Sequence, residues 1–120
     1  MLLNNYKGKL IILDFWASWC SSCLQQFPKL DSLQVRFKDA VQILLVNPNI
    51  KGDTQAKMQG RLKGYGLTSI TFNDSLKKLF PYEFIPHYVW LDGEGKLLAI
   101  TTANMVNEAT IKGYLKTTIN

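Results

Sequence analysis

The stretch LIILDFWASWCSSC, Leu10 to Cys23, joins an apolar run to both cysteines of a 120-residue chain. Its first half, Leu10 to Trp16, is short and rich in β-branched and aromatic residues, which reads as a strand buried on both faces. Asp14 is the one charge in it. Cys20 falls where that strand has ended and a helical pattern begins. Cys23, Phe27, Leu30, Leu33 and Phe37 recur at spacings of four and three residues, one apolar face of a helix. A helix start leaves backbone N–H groups free and carries the positive end of the helix dipole. A thiolate at Cys20 is stabilised there, with a pKa lowered from about 8.5 into the range of roughly 3.5–7.5. Cys23 stands one turn later, turned inward by the apolar pattern and close enough to close a ring. Cys20 is therefore expected to attack a partner disulfide, and Cys23 to displace the reduced product from the mixed disulfide.

Outward from this stretch the pattern alternates. VQILLVNPN, Val41 to Asn49, is a second buried-type strand stopped by Asn-Pro. Met58, Leu62 and Tyr65 predict a helix behind Asp53 or Thr54 as its cap, although Gly60 and Gly64 work against it. SLKKLF, Ser75 to Phe80, reads as a short helical turn. HYVWLD and KLLAITT are strands joined through Asp92-Gly93-Glu94-Gly95, a hairpin signal. Ile111, Tyr114, Leu115 and Ile119 form one face of a closing helix behind Asn107 or Thr110. A strand-helix-strand opening implies a right-handed parallel crossover, and the hairpin adds antiparallel strands to the same sheet. The expected class is α/β, a mixed central sheet flanked by helices in three layers.

Composition bounds the functions. With 47% hydrophobic and 19% charged residues, residues 1–120 fit a single domain. The net charge is +5, but basic residues are scattered from Lys7 to Lys116, and the densest group, Lys51, Lys57, Arg61 and Lys63, reads as a solvated helix face. Nucleic-acid binding is not expected. No run of about 18 apolar residues spans a membrane, and MLLNNYKGK has no signal-peptide pattern. Two cysteines do not make a disulfide framework. A zinc site needs about four ligands, more than two Cys and one His supply, so no metal is expected. A purely structural bridge over so short a loop contributes ~2 kcal/mol or less. Peroxide reduction competes in chemistry, but no activating arginine or Thr-x-x-Cys arrangement precedes Cys20.

Cys-x-x-Cys beside a strand-helix-strand pattern is a thioredoxin-like signal. Asp14-Phe15-Trp16-Ala17-Ser18-Trp19-Cys20-Ser21-Ser22-Cys23, with Pro28 in the helix and Ile85-Pro86 before a strand, resembles the thioredoxin superfamily. Tyr6-Lys7-Gly8-Lys9 and Trp90-Leu91-Asp92-Gly93-Glu94-Gly95-Lys96 bring it closer to the TlpA-like and ResA-like bacterial thiol-disulfide oxidoreductases. The resemblance implies a thioredoxin-like fold and an enzyme whose redox group is the Cys20–Cys23 pair, with no bound cofactor. It implies partners that are protein thiols or disulfides, an upstream redox partner protein, a monomer, and an extracytoplasmic, periplasmic or membrane-anchored location. A peptide-binding module without redox turnover and a thiol peroxidase of related fold are the alternatives.

Residue by residue, the resemblance makes Asp14 the proton acceptor for Cys23, against a strand-end Asp bonded to backbone or water. It makes Ile85-Pro86 a cis bond against the cysteines where a substrate strand pairs. It places Trp19 on the exposed rim as a substrate contact and Trp16 behind it. Pro28 lacks an N–H, so it should kink the helix after its first turn and aim the cysteines. His87 either adds positive charge near the site or is a strand-surface histidine. Ser21-Ser22 departs from the Gly-Pro of thioredoxins at positions that tune redox potential. Only nine residues precede the first strand, too few for the strand-helix unit with which thioredoxin begins, so a shortened relative or an excised domain of a longer chain is expected.

Overall fold

A computed structural model of the chain describes residues 5–48, 51–70 and 75–118. Leu10–Phe15 forms β1, with all six residues buried as a two-faced strand requires. Val41–Val46 is β2, Thr68–Ile70 is β3, and His87–Leu91 and Leu97–Thr101 are β4 and β5. They make one sheet in the order β3-β2-β1-β4-β5. β1 runs parallel to β2 in a register from Leu10 opposite Val41 to Phe15 opposite Val46, and antiparallel to β4, with Asp14 opposite Tyr88. β3 is parallel to β2, and β5 is antiparallel to β4.

Period-two alternation sends the strand side chains into two cores. On one face Leu10, Ile12, Ile43, Leu45, Tyr88 and Trp90 pack with both cysteines, Phe27, Leu30, Met58 and Ile111. Of these last six, Cys20 caps α1 (Ser21–Leu24) and Cys23 lies in it, Phe27 and Leu30 belong to α2 (Phe27–Arg36), Met58 to α3 (Gln55–Leu62) and Ile111 to α5 (Glu108–Thr118). On the other face Ile11, Leu13, Phe15, Leu44, Val46, Val89 and Leu91 are covered by Leu76 of α4 (Ser75–Leu79), with Tyr6, Phe80 and Tyr82 around it. The result is the expected three-layer α/β/α arrangement.

The two cap alternatives resolve. Thr54 caps α3, its Oγ1 accepting from Lys57 N–H at 3.2 Å, and Asn107 Oδ1 accepts from Thr110 N–H at 2.8 Å ahead of α5's second turn. In the hairpin, Asp92 Oδ1 accepts from the N–H groups of Glu94 and Lys96, and Gly95 takes φ +86°. A side chain at Gly93 would stand 3.1 Å from the Gly8 backbone, whose N–H donates to the Gly93 carbonyl at 2.8 Å. Asn49, at the end of the second strand stretch, and Ile119, on the last helix face, lie outside the described residues.

Two expectations are corrected. The continuous helix from Cys23 to Phe37 is two helices: α1 ends at Leu24, and α2 starts at Phe27 with Pro28 as its second residue. Pro28 therefore breaks rather than kinks, because its ring has no N–H to offer the Leu24 carbonyl and crowds it. In the first turn of α2 the missing N–H costs nothing. The second correction is β3, a three-residue, partly exposed edge strand with neither an apolar run nor clear alternation to announce it. Its pairing with Leu44–Val46 makes it a strand.

Candidate active site

After Phe15 the chain leaves β1 but stays pinned, with Trp16 N–H donating to the Val46 carbonyl at 3.1 Å. A turn then brings Cys20 N–H onto the Ala17 carbonyl at 3.1 Å. Cys20 is extended, at φ −87° and ψ 99°, and is the N-cap of α1. Cys20 and Cys23 are joined as a disulfide across a Cα separation of 5.2 Å. Cys23 N–H donates to Cys20 Sγ at 3.2 Å, and Ser22 Oγ lies 3.5 Å from the same sulfur. Because α1 is a single turn, a Cys20 thiolate gains from these local donors more than from a long helix dipole. Cys20 keeps 6% of its surface exposed while Cys23 has none, so access is one-sided.

The Ile85 carbonyl oxygen lies 3.9 Å from Cys20 Sγ, and the Ile85–Pro86 bond is cis. Pro86 and His87 line a cleft of about 520 Å³ with Tyr82, Phe84, Thr101 and Thr102. Phe84 is 80% exposed there. His87 packs its ring against Phe15 and Tyr82, and burial pushes its pKa down. That shift favours the neutral imidazole over the positively charged form. Trp19, next to Cys20 in the chain, is 57% exposed. Trp16 is fully buried and meets Phe27 edge-on at 5.3 Å, supporting the start of α2. Pro28 is exposed at the surface of α2.

Asp14 is fully buried on the cysteine-bearing face, and neither carboxylate oxygen has a hydrogen-bond partner among the described residues. Burial drives its pKa well above the ordinary carboxylate range, opposed in part by Tyr88 and by the Lys29 ammonium. The Tyr88 hydroxyl faces it from the paired strand without closing a well-formed hydrogen bond, and burial and the nearby carboxylate push the phenol upward. Lys29 Nζ donates to the Ala103 carbonyl at 2.8 Å, and its own pKa is lowered by burial. The arrangement can hold a proton on a carboxyl at a pH where an exposed Asp has lost it.

Sequence reasoning missed a second carboxylate. Asp53, considered only as a cap for α3, instead ties the β2–α3 loop to the cysteine loop. Ser18 N–H and Ser18 Oγ–H donate to it at 2.8 and 2.5 Å, Asn47 Nδ2 at 2.8 Å and Thr54 N–H at 3.0 Å. Asn47 Nδ2 also reaches the Trp16 carbonyl at 3.3 Å, and Arg61 Nε donates to the Ser18 carbonyl at 3.2 Å. These donors hold the Asp53 pKa down against the opposing effect of burial. A polar Asn47 at the end of an apolar strand was the only local signal. Among the described residues no group of three His, Cys, Asp or Glu could hold a metal ion, and no helix is long and apolar enough to cross a membrane.

A family model described as thioredoxin-like matches residues 8–97. The thiol-disulfide oxidoreductase ResA of Bacillus subtilis is 28% identical over 117 residues, covering 94% of this chain and 63% of ResA. The ResA of Geobacillus thermodenitrificans is 30% identical over 118 residues, covering 95% and 66%. The chain thus spans just under two thirds of the length of these curated relatives. The structure of the exposed lipoprotein thioredoxin Etrx1 of Streptococcus pneumoniae superposes with a TM-score of 0.75 at 30% identity, over 96% of this chain and 89% of that one. With its split helix, cis Ile85–Pro86 bond and Cys20–Cys23 pair, the chain belongs to the thioredoxin-like family.

Proposed function

We propose that this chain is a thiol-disulfide oxidoreductase that cycles between a Cys20, Cys23 dithiol and the Cys20–Cys23 disulfide. The observation that carries this reading is the one-sided pair: an N-cap sulfur with the only exposed edge, bonded to a fully buried neighbour. In the reducing direction the Cys20 thiolate attacks one sulfur of a partner disulfide, forming an intermolecular S–S bond and releasing the partner's other sulfur as a thiolate. Cys23 gives its proton to Asp14 and attacks Cys20 Sγ, closing the internal disulfide and releasing the second partner thiolate. Those two thiolates take up protons, and two electrons have passed to the partner. An upstream redox protein returns the electrons by the same steps in reverse.

In this reading Ile85 offers its backbone to an extended partner strand beside Pro86, and Trp19 covers the strand from the other side. Trp16 and Pro28 hold the cysteine turn in place. The cysteine pair is itself the redox group. The chain works as a single monomeric domain, and the character of its structural relative Etrx1, an exposed lipoprotein, supports an extracytoplasmic setting. The test is an equilibrium redox titration in dithiothreitol and glutathione buffers, read by tryptophan fluorescence, with Cys20→Ser as control. A reversible two-electron transition that is absent in the variant is expected. A potential near about −270 mV would mark a reductant and one near about −120 mV an oxidant. No transition in the wild-type protein would overturn the reading.

A further inference from the structure

Beside Trp19, away from the cis-proline cleft, lies a second cleft of about 520 Å³ lined by Ser18, Trp19, Ala56, Lys57, Gly60 and Arg61. Its far wall is α3. Ala56 and Gly60 are one turn apart and small, and Lys57 and Arg61 are the next residues along, so a smooth stripe runs beside a cationic one. A Cβ built at Gly60 meets nothing within 4 Å, so the glycine keeps the cleft open without any tight contact demanding it. Among the described residues, Lys57 Nζ donates only to the Gly52 carbonyl, at 3.1 Å, and Arg61 uses only Nε, toward the Ser18 carbonyl. The terminal guanidinium nitrogens of Arg61 make no hydrogen bond or ion pair to any described residue. No lining residue is acidic. Asp53, bonded to Ser18, has its carboxylate oxygens taken up by four donors.

We infer that this cleft is a specificity subsite for an acidic side chain of the partner, an Asp or Glu close to the cysteine that exchanges with Cys20. The inference rests on the exchange reading above and names the class of protein disulfide that the site prefers. Ser18 and Trp19 precede Cys20 by two residues and one, and consecutive Cα atoms are about 3.8 Å apart. An extended partner strand centred on Cys20 therefore carries its own neighbours, about one or two residues from its cysteine, onto this wall. There the carboxylate meets a forked Arg donor and an ammonium, with its methylene groups against the Trp19 ring.

The test uses the reduced full chain and homodimeric disulfides of blocked Gly-Xaa-Cys-Xaa-Gly peptides, with Xaa as Asp, Asn or Lys. Each exchange rate is divided by that of the same peptide with 2-mercaptoethanol, which removes the flanking charge's effect on the disulfide itself. In low salt the Asp peptide should react about five- to tenfold faster than the Asn peptide and the Lys peptide slower, a difference that collapses at about 0.5 M salt. Lys57→Gln and Arg61→Gln should each reduce the Asp preference, and Gly60→Leu, a favourable helix substitution, should abolish it by filling the cleft. Lys38→Gln removes the same charge from an exposed position at the opposite end of β1 and should leave the preference intact. An equal loss in Lys38→Gln and Lys57→Gln, or no preference in the wild type while the Asn peptide reacts normally, overturns the subsite alone. Failure to react with any peptide overturns the exchange reading and the subsite with it.

Discussion

Two aspartates bracket the cysteine loop, and the protein treats them in opposite ways. Asp14, under the site, is fully buried with no well-formed hydrogen bond among the described residues, and burial raises its pKa well above the ordinary carboxylate range. Asp53, at the side of the loop, collects four donors and gives up its proton unusually easily. The side chains are identical, and the difference lies in what surrounds them. Withholding partners from a buried carboxylate leaves a group that can take and return a proton. Supplying donors makes a fixed anion that positions backbone. One is suited to chemistry and the other to construction.

Substitutions can break this contrast, and the largest effect should fall on rate. Asp14→Asn removes the acceptor, so displacement of a partner from Cys20 should slow by about a hundredfold. Stopped-flow tryptophan fluorescence of a preformed mixed disulfide measures this. The rise of the wild-type rate with pH through the raised Asp14 pKa should flatten in the variant, and an unchanged rate and profile would remove Asp14 from the mechanism. Asp53→Ala should instead act on stability. It strands the Ser18 N–H and the Asn47 amide, a loss of about 2 kcal/mol in urea unfolding, while the shape of the pH–rate profile stays as it was.

The signs of their pH dependence also differ. A raised folded pKa at Asp14 means that the native state holds more protons than the unfolded chain. Its burial therefore erodes stability as pH rises from about 4, the unfolded value, to the folded one, and the penalty is constant above that. Asp14→Asn should raise Tm at neutral pH, with the gain vanishing below about pH 4. Asp53 has a lowered folded pKa, so its contribution is present above the unfolded value and is lost as pH falls through the folded one. Thermal melts of both variants across that range read out the opposition. The smallest effect concerns Ser22. If its hydroxyl donates to a Cys20 thiolate, Ser22→Ala destabilises the reduced form by about 0.5–1.5 kcal/mol. The potential should then fall by roughly 10–30 mV, within reach of the redox titration.

What was legible in the sequence was local. The strand Leu10–Phe15, the placement of Cys20 at a helix start, the caps at Thr54 and Asn107 and the hairpin around Gly95 are written in neighbouring residues. Periodicity and turn chemistry act over one or two turns, so a linear reading captures them. Even Pro28 was read for the right reason, the missing N–H, and only the size of its effect was underestimated.

The sequence by itself thus determined the strand and helix faces, the place of the cysteine pair at a helix start and, through its motif, the family. Only the tertiary structure decided how the two carboxylates differ and what stands beside the disulfide. The Asp53–Ser18 bonds join residues 35 apart, Arg61 reaches Ser18 across 43, and Lys29 meets the Ala103 carbonyl across 74. β3 likewise owes its existence to a pairing with β2 across the intervening helix. A residue's protonation, and the wall of a cleft, depend on everything within a few ångströms, and folding draws those neighbours from distant parts of the chain.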